Sequence, residues 1–332
     1  MNAGREWELP PARSLVALWR LRPAHVFSRG VWPLLLALDM APWPWGEDVL
    51  ARVFVAKAFV QVRRLREALA WAASHSADRR GRWRLALSCC AYHGRFVARM
   101  ALVGVRRPEE FRRRVVLEGT ERLGTAGGPT ILLGFHLGPP EAALALRVGG
   151  HRLTWVGGWR NSRAWSREGW RPFQGTGELL WAFEGEKFWG SVLYRACRIL
   201  REGGTIFISA DGAAGREAFR VPVPGGPVVV RSGWLALRRH TGAQVLPVLT
   251  HMEDRTQVVT IHPPLPPLDQ DLAADQRACR DVLGALLEGH VRRFPEQCYT
   301  LAFPPGREAR PADGRAAIQP RHTQGLSIGK TT

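Results

Sequence analysis

The sequence predicts an α/β protein with a largely parallel central sheet flanked by helices and a helical layer ahead of it. Three observations carry this reading. From residue 129 onward short apolar runs alternate with amphipathic stretches, the pattern of strands joined through helices. Residues 130–146, Thr-Ile-Leu-Leu-Gly-Phe-His-Leu-Gly-Pro-Pro-Glu-Ala-Ala-Leu-Ala-Leu, read as a buried strand, a tight turn and the first turns of a helix. Residues 48–117 hold three amphipathic helical patterns in succession.

In chain order, residues 1–46 are rich in Pro, Trp and Arg, with a tryptophan cluster at Trp32, Trp43 and Trp45, and are expected to form an irregular arm. Asp48 to His75 is expected to be one helix, with Val49, Leu50, Val53, Phe54, Val60, Leu65 and Leu69 set against Arg52, Lys57, Arg63, Arg64 and Arg66. A basic amphipathic helix of this kind suits either a solvated face or an anionic lipid surface. A second helix is expected from Arg82 to about Val103 and a third from Pro108 to Leu117. Strands are expected at 130–135, 152–157, 204–209, 244–250 and 256–262, and helices near 139–148, 177–184, 188–202 and 231–241. Pro247 argues that its strand lies at the mouth or edge of the sheet, because proline donates no ladder hydrogen bond. The run His-Pro-Pro-Leu-Pro-Pro-Leu at 262–268 reads as a stiff extended connector, followed by a helix from Asp269 to Phe294. Beyond residue 304 the chain is polar and Pro- and Gly-bearing, which reads as a disordered tail. The expected organisation is therefore an arm (1–46), one α/β domain with its N-terminal helices (47–303) and a tail (304–332).

Composition narrows the function classes. With 47 Lys and Arg against 29 Asp and Glu the net charge is +18, which implies a negatively charged partner: nucleic acid, an anionic membrane surface or phosphorylated substrates. No zinc finger or RNA-binding motif accompanies the charge, which disfavours nucleic acid. The 14 Trp beside 3 Tyr suit a membrane–water interface, and equally an ordinary core. Five cysteines, at 89, 90, 197, 279 and 298, form no CxxC pair and are odd in number, so a reducing compartment and no structural metal or other cofactor are expected. The N-terminus lacks a signal-peptide pattern, and the best apolar stretch, Val31 to Leu38, is interrupted by Pro33 and closed by Asp39. That is far short of the roughly 20 residues a spanning helix needs, so the chain is expected to lie on a membrane at most.

The candidate chemistry sits in turns after strands, where open α/β sheets place ligands. His136 follows the first strand, and Glu141 falls in the first turn of the next helix. Along one helix, residues five apart point about 140° from each other, so only the turn at Gly138 can bring the two together. A carboxylate at a helix N-terminus that holds one imidazole N–H leaves the other nitrogen as a general base. The plainer alternative is a strand-end histidine bonded to nearby backbone. After the second strand, Gly157-Gly158-Trp159-Arg160-Asn161-Ser162-Arg163 offers two arginines and an amide to a phosphate or sugar. After the third, Asp211-Gly212 sets an acid in a Gly-rich turn, suited to a hydroxyl or an incoming Arg.

These stretches, in this order, resemble the lysophospholipid acyltransferase superfamily. Within it they are most similar to the late acyltransferases of lipid A biosynthesis and the related phosphatidylinositol mannoside acyltransferases. His136-x4-Glu141 resembles the family's His-x4-acid motif, Trp159-Arg160-Asn161-Ser162 its second block, Arg195 to Gly212 its third, Thr241 to Val248 its fourth, and Arg292-Arg-Phe-Pro-Glu-Gln297 its C-terminal Pro-Glu-Gln segment. The resemblance covers roughly residues 110 to 300. It implies a glycerol-3-phosphate acyltransferase-like fold and an enzyme at the cytoplasmic face of the inner or plasma membrane, which the lack of a spanning stretch makes peripheral. That enzyme would move a fatty acyl group from acyl carrier protein or acyl-CoA to a hydroxyl of a lipid acceptor. His136 and Glu141 would be catalytic, and Arg160, Asn161, Asp211 and Gly212 would contact substrate. The rival readings are a catalytically inactive membrane-surface or scaffold protein of the same fold, and a basic nucleic-acid-binding protein.

Overall fold

The computed structural model describes residues 43–103, 113–123, 128–139, 143–158, 179–182, 186–212, 218–269 and 271–303. Three helices come first: α1 (Trp43–Val60), α2 (Val62–Ala73) and α3 (Arg79–Val103). The sheet strands are β1 (Val115–Glu118), β2 (Thr130–Gly134), β3 (Thr154–Gly158), β4 (Leu179–Ala182), β5 (Thr205–Ser209), β8 (Gln244–Glu253) and β9 (Thr256–Ile261). A separate antiparallel hairpin is made of β6 (Ala218–Val221) and β7 (Val228–Arg231). The remaining helices are α4 (Leu144–Val148), α5 (Glu186–Arg201), α6 (Gly233–Thr241), α7 (Leu272–Arg293) and α8 (Tyr299–Ala302), with a 3-10 turn at Pro295–Gln297.

The sheet order is β1-β9-β8-β2-β5-β3-β4, and β8, β2, β5, β3 and β4 are mutually parallel. β9 runs antiparallel to β8, and β1 pairs parallel to β9. The predicted α/β class with a largely parallel sheet is what the chain forms. β2 lies at the centre and is buried along its whole length, which is why it reads as an uninterrupted apolar run. Ile131 and Leu133 pack to one side with residues of α2, α3, α5, α6 and α7, while Leu132 packs to the other with Ala143, Ala145 and Leu146 around α4.

Several elements differ from the sequence reading. The expected helix 48–75 is two helices, broken at Gln61, whose ψ of 75° leaves the helical region. A straight helix from 43 to 73 would be about 46 Å long at 1.5 Å per residue. The break lets α2 turn back so that Ala68, Trp71 and Ala72 bury against the core. Residues 115–117, expected at the end of a helix, form β1 instead: Val115 and Val116 are β-branched, and pairing with Gln257 and Val258 fixes them. Leu179–Ala182, expected in a helix, is the edge strand β4, where pairing with β3 overrides the helix propensity of Leu and Ala. The β6–β7 hairpin was not expected at all. Pro247 does not mark an edge strand, since β8 lies between β9 and β2. Its carbonyl accepts from His262 N–H where β9 has just ended, so its missing N–H faces the side where the ladder stops. The connector 262–268 holds no helix, strand or turn. The arm through residue 42, Trp32 with it, and the tail from 304 lie outside the described residues.

Two histidines, one in the helical layer and one on α7, are held in poorly hydrated surroundings. His93 of α3 takes a hydrogen bond from Arg64 Nη1 at 3.2 Å and sits between Phe54, edge-on at a centroid distance of 4.8 Å, and Tyr299, tilted at 4.1 Å. Burial first, then Arg64 and Lys57, push its pKa down to about 3. Burial, then His251, pushes His290 of α7 down to about 4. Below pH 6.5 the unfolded chain therefore binds two protons that the fold refuses, so stability falls as pH falls. At about 1.4 kcal/mol per pH unit per histidine, the loss between pH 7 and 5 is expected to be about 4 kcal/mol. Urea unfolding at the two pH values checks this, and His93→Phe is expected to remove about half of the difference. A stability flat across that range would show that these rings protonate in place.

Candidate active site

The site is built where β2 and β5 end. The two strands are adjacent and parallel, with Gly134 opposite Ser209. His136 lies two residues beyond Gly134 and Asp211 two residues beyond Ser209, so equal offsets from one register pair bring an imidazole and a carboxylate together at the carboxyl edge of the sheet. Asp211 grips His136 twice: the backbone N–H of His136 donates to Oδ2 at 2.8 Å and the imidazole Nδ1–H donates to Oδ1 at 2.7 Å. The Asp211 side chain is only 6% exposed and that of His136 34%, so the acid lies beneath and the ring faces outward. A carboxylate accepts only, which fixes the neutral ring's proton on Nδ1 and makes Nε2 the basic nitrogen.

The Asp211 turn is itself held on both flanks. Arg231, the last residue of β7, donates its backbone N–H to Ala210 O at 2.7 Å and its Nε–H to Gly212 O at 3.2 Å. The ordinary Asp-Gly turn of the sequence is thus seated by the hairpin that sequence reasoning missed.

The wall of the site is the far half of β8. This strand pairs with β2 only through Val248, whereas its pairing with β9 continues to Glu253, so residues 249–253 stand past the end of β2. The His136 loop runs along that free edge. Gly138, at φ 110°, passes against the Thr250 carbonyl, and its own N–H donates to Gln297 O at 3.1 Å. Gln297 completes the edge: its Oε1 accepts from Met252 N–H at 2.7 Å and its Nε2 donates to Met252 O at 2.8 Å. Thr300 Oγ1 donates to His136 O at 3.2 Å. The Pro-Glu-Gln segment was visible in the sequence, but its contact with the histidine loop was not. Nothing in the sequence marked Thr250 or Thr300.

Of the residues singled out from the sequence, the structure brings His136, Asp211 and Gly212 together. Glu141, Arg160 and Asn161 lie outside the described residues. Among the described residues, no group of three or more His, Cys, Asp or Glu is placed to hold a metal ion. All five cysteines are free thiols, and burial raises those of Cys89, Cys90, Cys279 and Cys298. Among the described residues, no helix is long and apolar enough to cross a membrane.

Residues 33–302, well over half of the chain, match the family described as bacterial lipid A biosynthesis acyltransferase. The chain belongs to that family. It is an acyltransferase, and its chemistry is acyl transfer to lipid. This acyltransferase is similar to the crystal structure of the 1-acyl-sn-glycerophosphate (LPA) acyltransferase, PlsC, from Thermotoga maritima. The two are 15% identical with a TM-score of 0.38, over 75% of this chain and 96% of that one. No curated protein matches the sequence.

Proposed function

We propose that the protein moves a fatty acyl group from a thioester donor, acyl carrier protein or coenzyme A, to a hydroxyl of a glycolipid or phospholipid of the lipid A type. The observation that carries this reading is the His136–Asp211 pair at the carboxyl edge of the sheet of an acyltransferase. His136 Nε2 takes the proton of the acceptor hydroxyl as its oxygen attacks the thioester carbonyl carbon. The tetrahedral oxyanion collapses, the C–S bond breaks, and the imidazolium returns the proton to the leaving thiolate. Asp211 orients the ring and stabilises the imidazolium. Glu141, at the His-x4-acid spacing, would serve as a second carboxylate for the imidazole. Arg160, Asn161 and Gly212 would contact the substrates, while the Asp211 carboxylate is taken up by His136 and is not offered to them.

The reading places the enzyme peripherally on the cytoplasmic face of a membrane. In support, the elbow between α1 and α2 exposes apolar side chains, Phe59 at 54%, Val60 at 84% and Val62 at 51%, beside the exposed Arg63, in a chain of net charge +18. Apolar insertion and attraction to anionic lipid act together on such a surface.

The test supplies purified protein with acyl-CoA or acyl carrier protein thioesters and with lipid acceptor in anionic or neutral vesicles. Free thiol is expected to appear in equal number with acylated lipid, read by mass spectrometry. Turnover should be faster on anionic vesicles at low salt, where charges are screened only beyond about 10 Å at 0.1 M. Thiol release without acylated lipid would remove the acceptor assignment. Vesicle binding with no turnover of any donor would leave an inert surface protein.

A further inference from the structure

Gln297 is only 4% exposed, and every polar group of its side chain is engaged. Beyond its two bonds to the Met252 backbone, Nε2 also lies 3.2 Å from Glu296 Oε1. The Met252 N–H and C=O lie on the edge of β8 that faces away from β9. Along a strand, successive residues direct their polar backbone groups to opposite sides, and Pro247 O, which bonds His262 N–H, faces β9. The Gln297 carboxamide therefore stands where β2 would have continued, supplying one donor and one acceptor at the spacing of a backbone. Neither leucine nor an ionised glutamate can offer that pair. The same residue's main-chain carbonyl accepts from the Gly138 N–H, and three residues on, Thr300 Oγ1 donates to the His136 carbonyl. On the other side the segment is anchored to the helical layer, since Trp71 Nε1 donates to Pro295 O at 2.9 Å.

We infer that the segment 295–300 is the positioning element of the catalytic histidine. Gln297 acts through Gly138, and Thr300 acts on the His136 backbone. Asp211 fixes the histidine ring relative to β5, whereas this clamp fixes its loop relative to the β8 wall. Substrate bound against that wall then meets Nε2 at a set distance. The inference rests on the reading of His136 as the base. A displacement of the order of 1 Å at such a point costs roughly 10²-fold in rate, with little effect on how substrate binds.

The experiment compares Thr300→Val, Thr300→Ser, Gln297→Glu and Gln297→Met with the parent enzyme and with His136→Ala. Melting temperature is measured first, and kcat and KM are taken well below every melt. A downfield proton resonance is also recorded, assigned to the Nδ1–H held by Asp211 through its loss in His136→Ala. Thr300→Val is expected to lower kcat on the order of 10- to 100-fold with KM nearly unchanged, and to shift or broaden the resonance. Thr300→Ser, which keeps the hydroxyl, is expected to restore both. The Gln297 variants should behave like Thr300→Val; should they fail to fold, the Thr300 pair still decides. Parental kcat and an unshifted resonance in Thr300→Val overturn the inference, as does a loss that Thr300→Ser does not restore. An active His136→Ala overturns the reading of the site itself, whatever the clamp variants do.

Discussion

His136→Ala is expected to lose between about 10² and 10⁴ of the acyl-transfer rate, and Asp211→Asn a comparable factor. Alanine removes the base outright. Asparagine keeps the shape of Asp211 but replaces an obligate acceptor with a group that also donates. Its amide N–H, turned toward Nδ1, would shift the ring proton to Nε2, where it blocks proton abstraction. Loss of the negative charge also leaves the imidazolium formed during attack without its counter-ion, 2.7 Å away in the parent. Glu141→Ala is expected to retain measurable activity, because the base stays in place and Asp211 still holds Nδ1. Single-turnover rates at saturating donor separate these cases from weakened binding. A near-normal rate for Asp211→Asn together with a dead Glu141→Ala would move the orienting role to Glu141. A near-normal rate for His136→Ala would end the general-base mechanism.

Gly138→Ala carries the second large effect. At φ 110° the residue sits in a region that side chains rarely occupy, and an added Cβ would run into the Thr250 carbonyl, a backbone atom within β8. Neither partner yields cheaply: Thr250 belongs to the ladder with β9, and the Gly138 N–H is bonded to Gln297. The expected outcome is a loss of roughly 2 to 4 kcal/mol in stability and a fall of the order of 10² in kcat, as the loop retreats from the wall and carries His136 with it. Gly150→Ala is the control. Its φ is 92°, yet nothing lies within 4 Å of an added Cβ, so it bears the backbone strain without the collision. It is expected to lose about 1 kcal/mol and to keep its activity. Equal activity in the two variants would show that the loop does not need its close approach to β8.

Much of the fold was legible because the central strands are buried on both faces. Ile131 to Leu133 and Ile206 to Phe207 stand out as apolar runs whatever surrounds them. The edge elements were not legible: β1 and β4 owe their strand form to pairing with β9 and β3, which no window of sequence contains. The site divides along the same line. His136 and Asp211 were each visible as strand-end residues in Gly-bearing turns. Their meeting depends on β2 lying beside β5, with β3 displaced outward, and sheet order is not written in local pattern. The role of Gln297 was hidden for a further reason. Its side chain imitates main chain, so nothing in its identity announces a partner 45 residues away.

The clamp has a consequence for synthesis. Thr300 follows His136 by 164 residues, and Asp211 follows it by 75. At 5 to 20 residues per second, roughly 8 to 33 seconds separate the emergence of the histidine from that of the threonine that seats its loop. Throughout that interval the nascent chain holds a histidine without its full mount. The histidine's mount is complete only once segment 295–300 has been made and reaches both the His136 loop and Trp71.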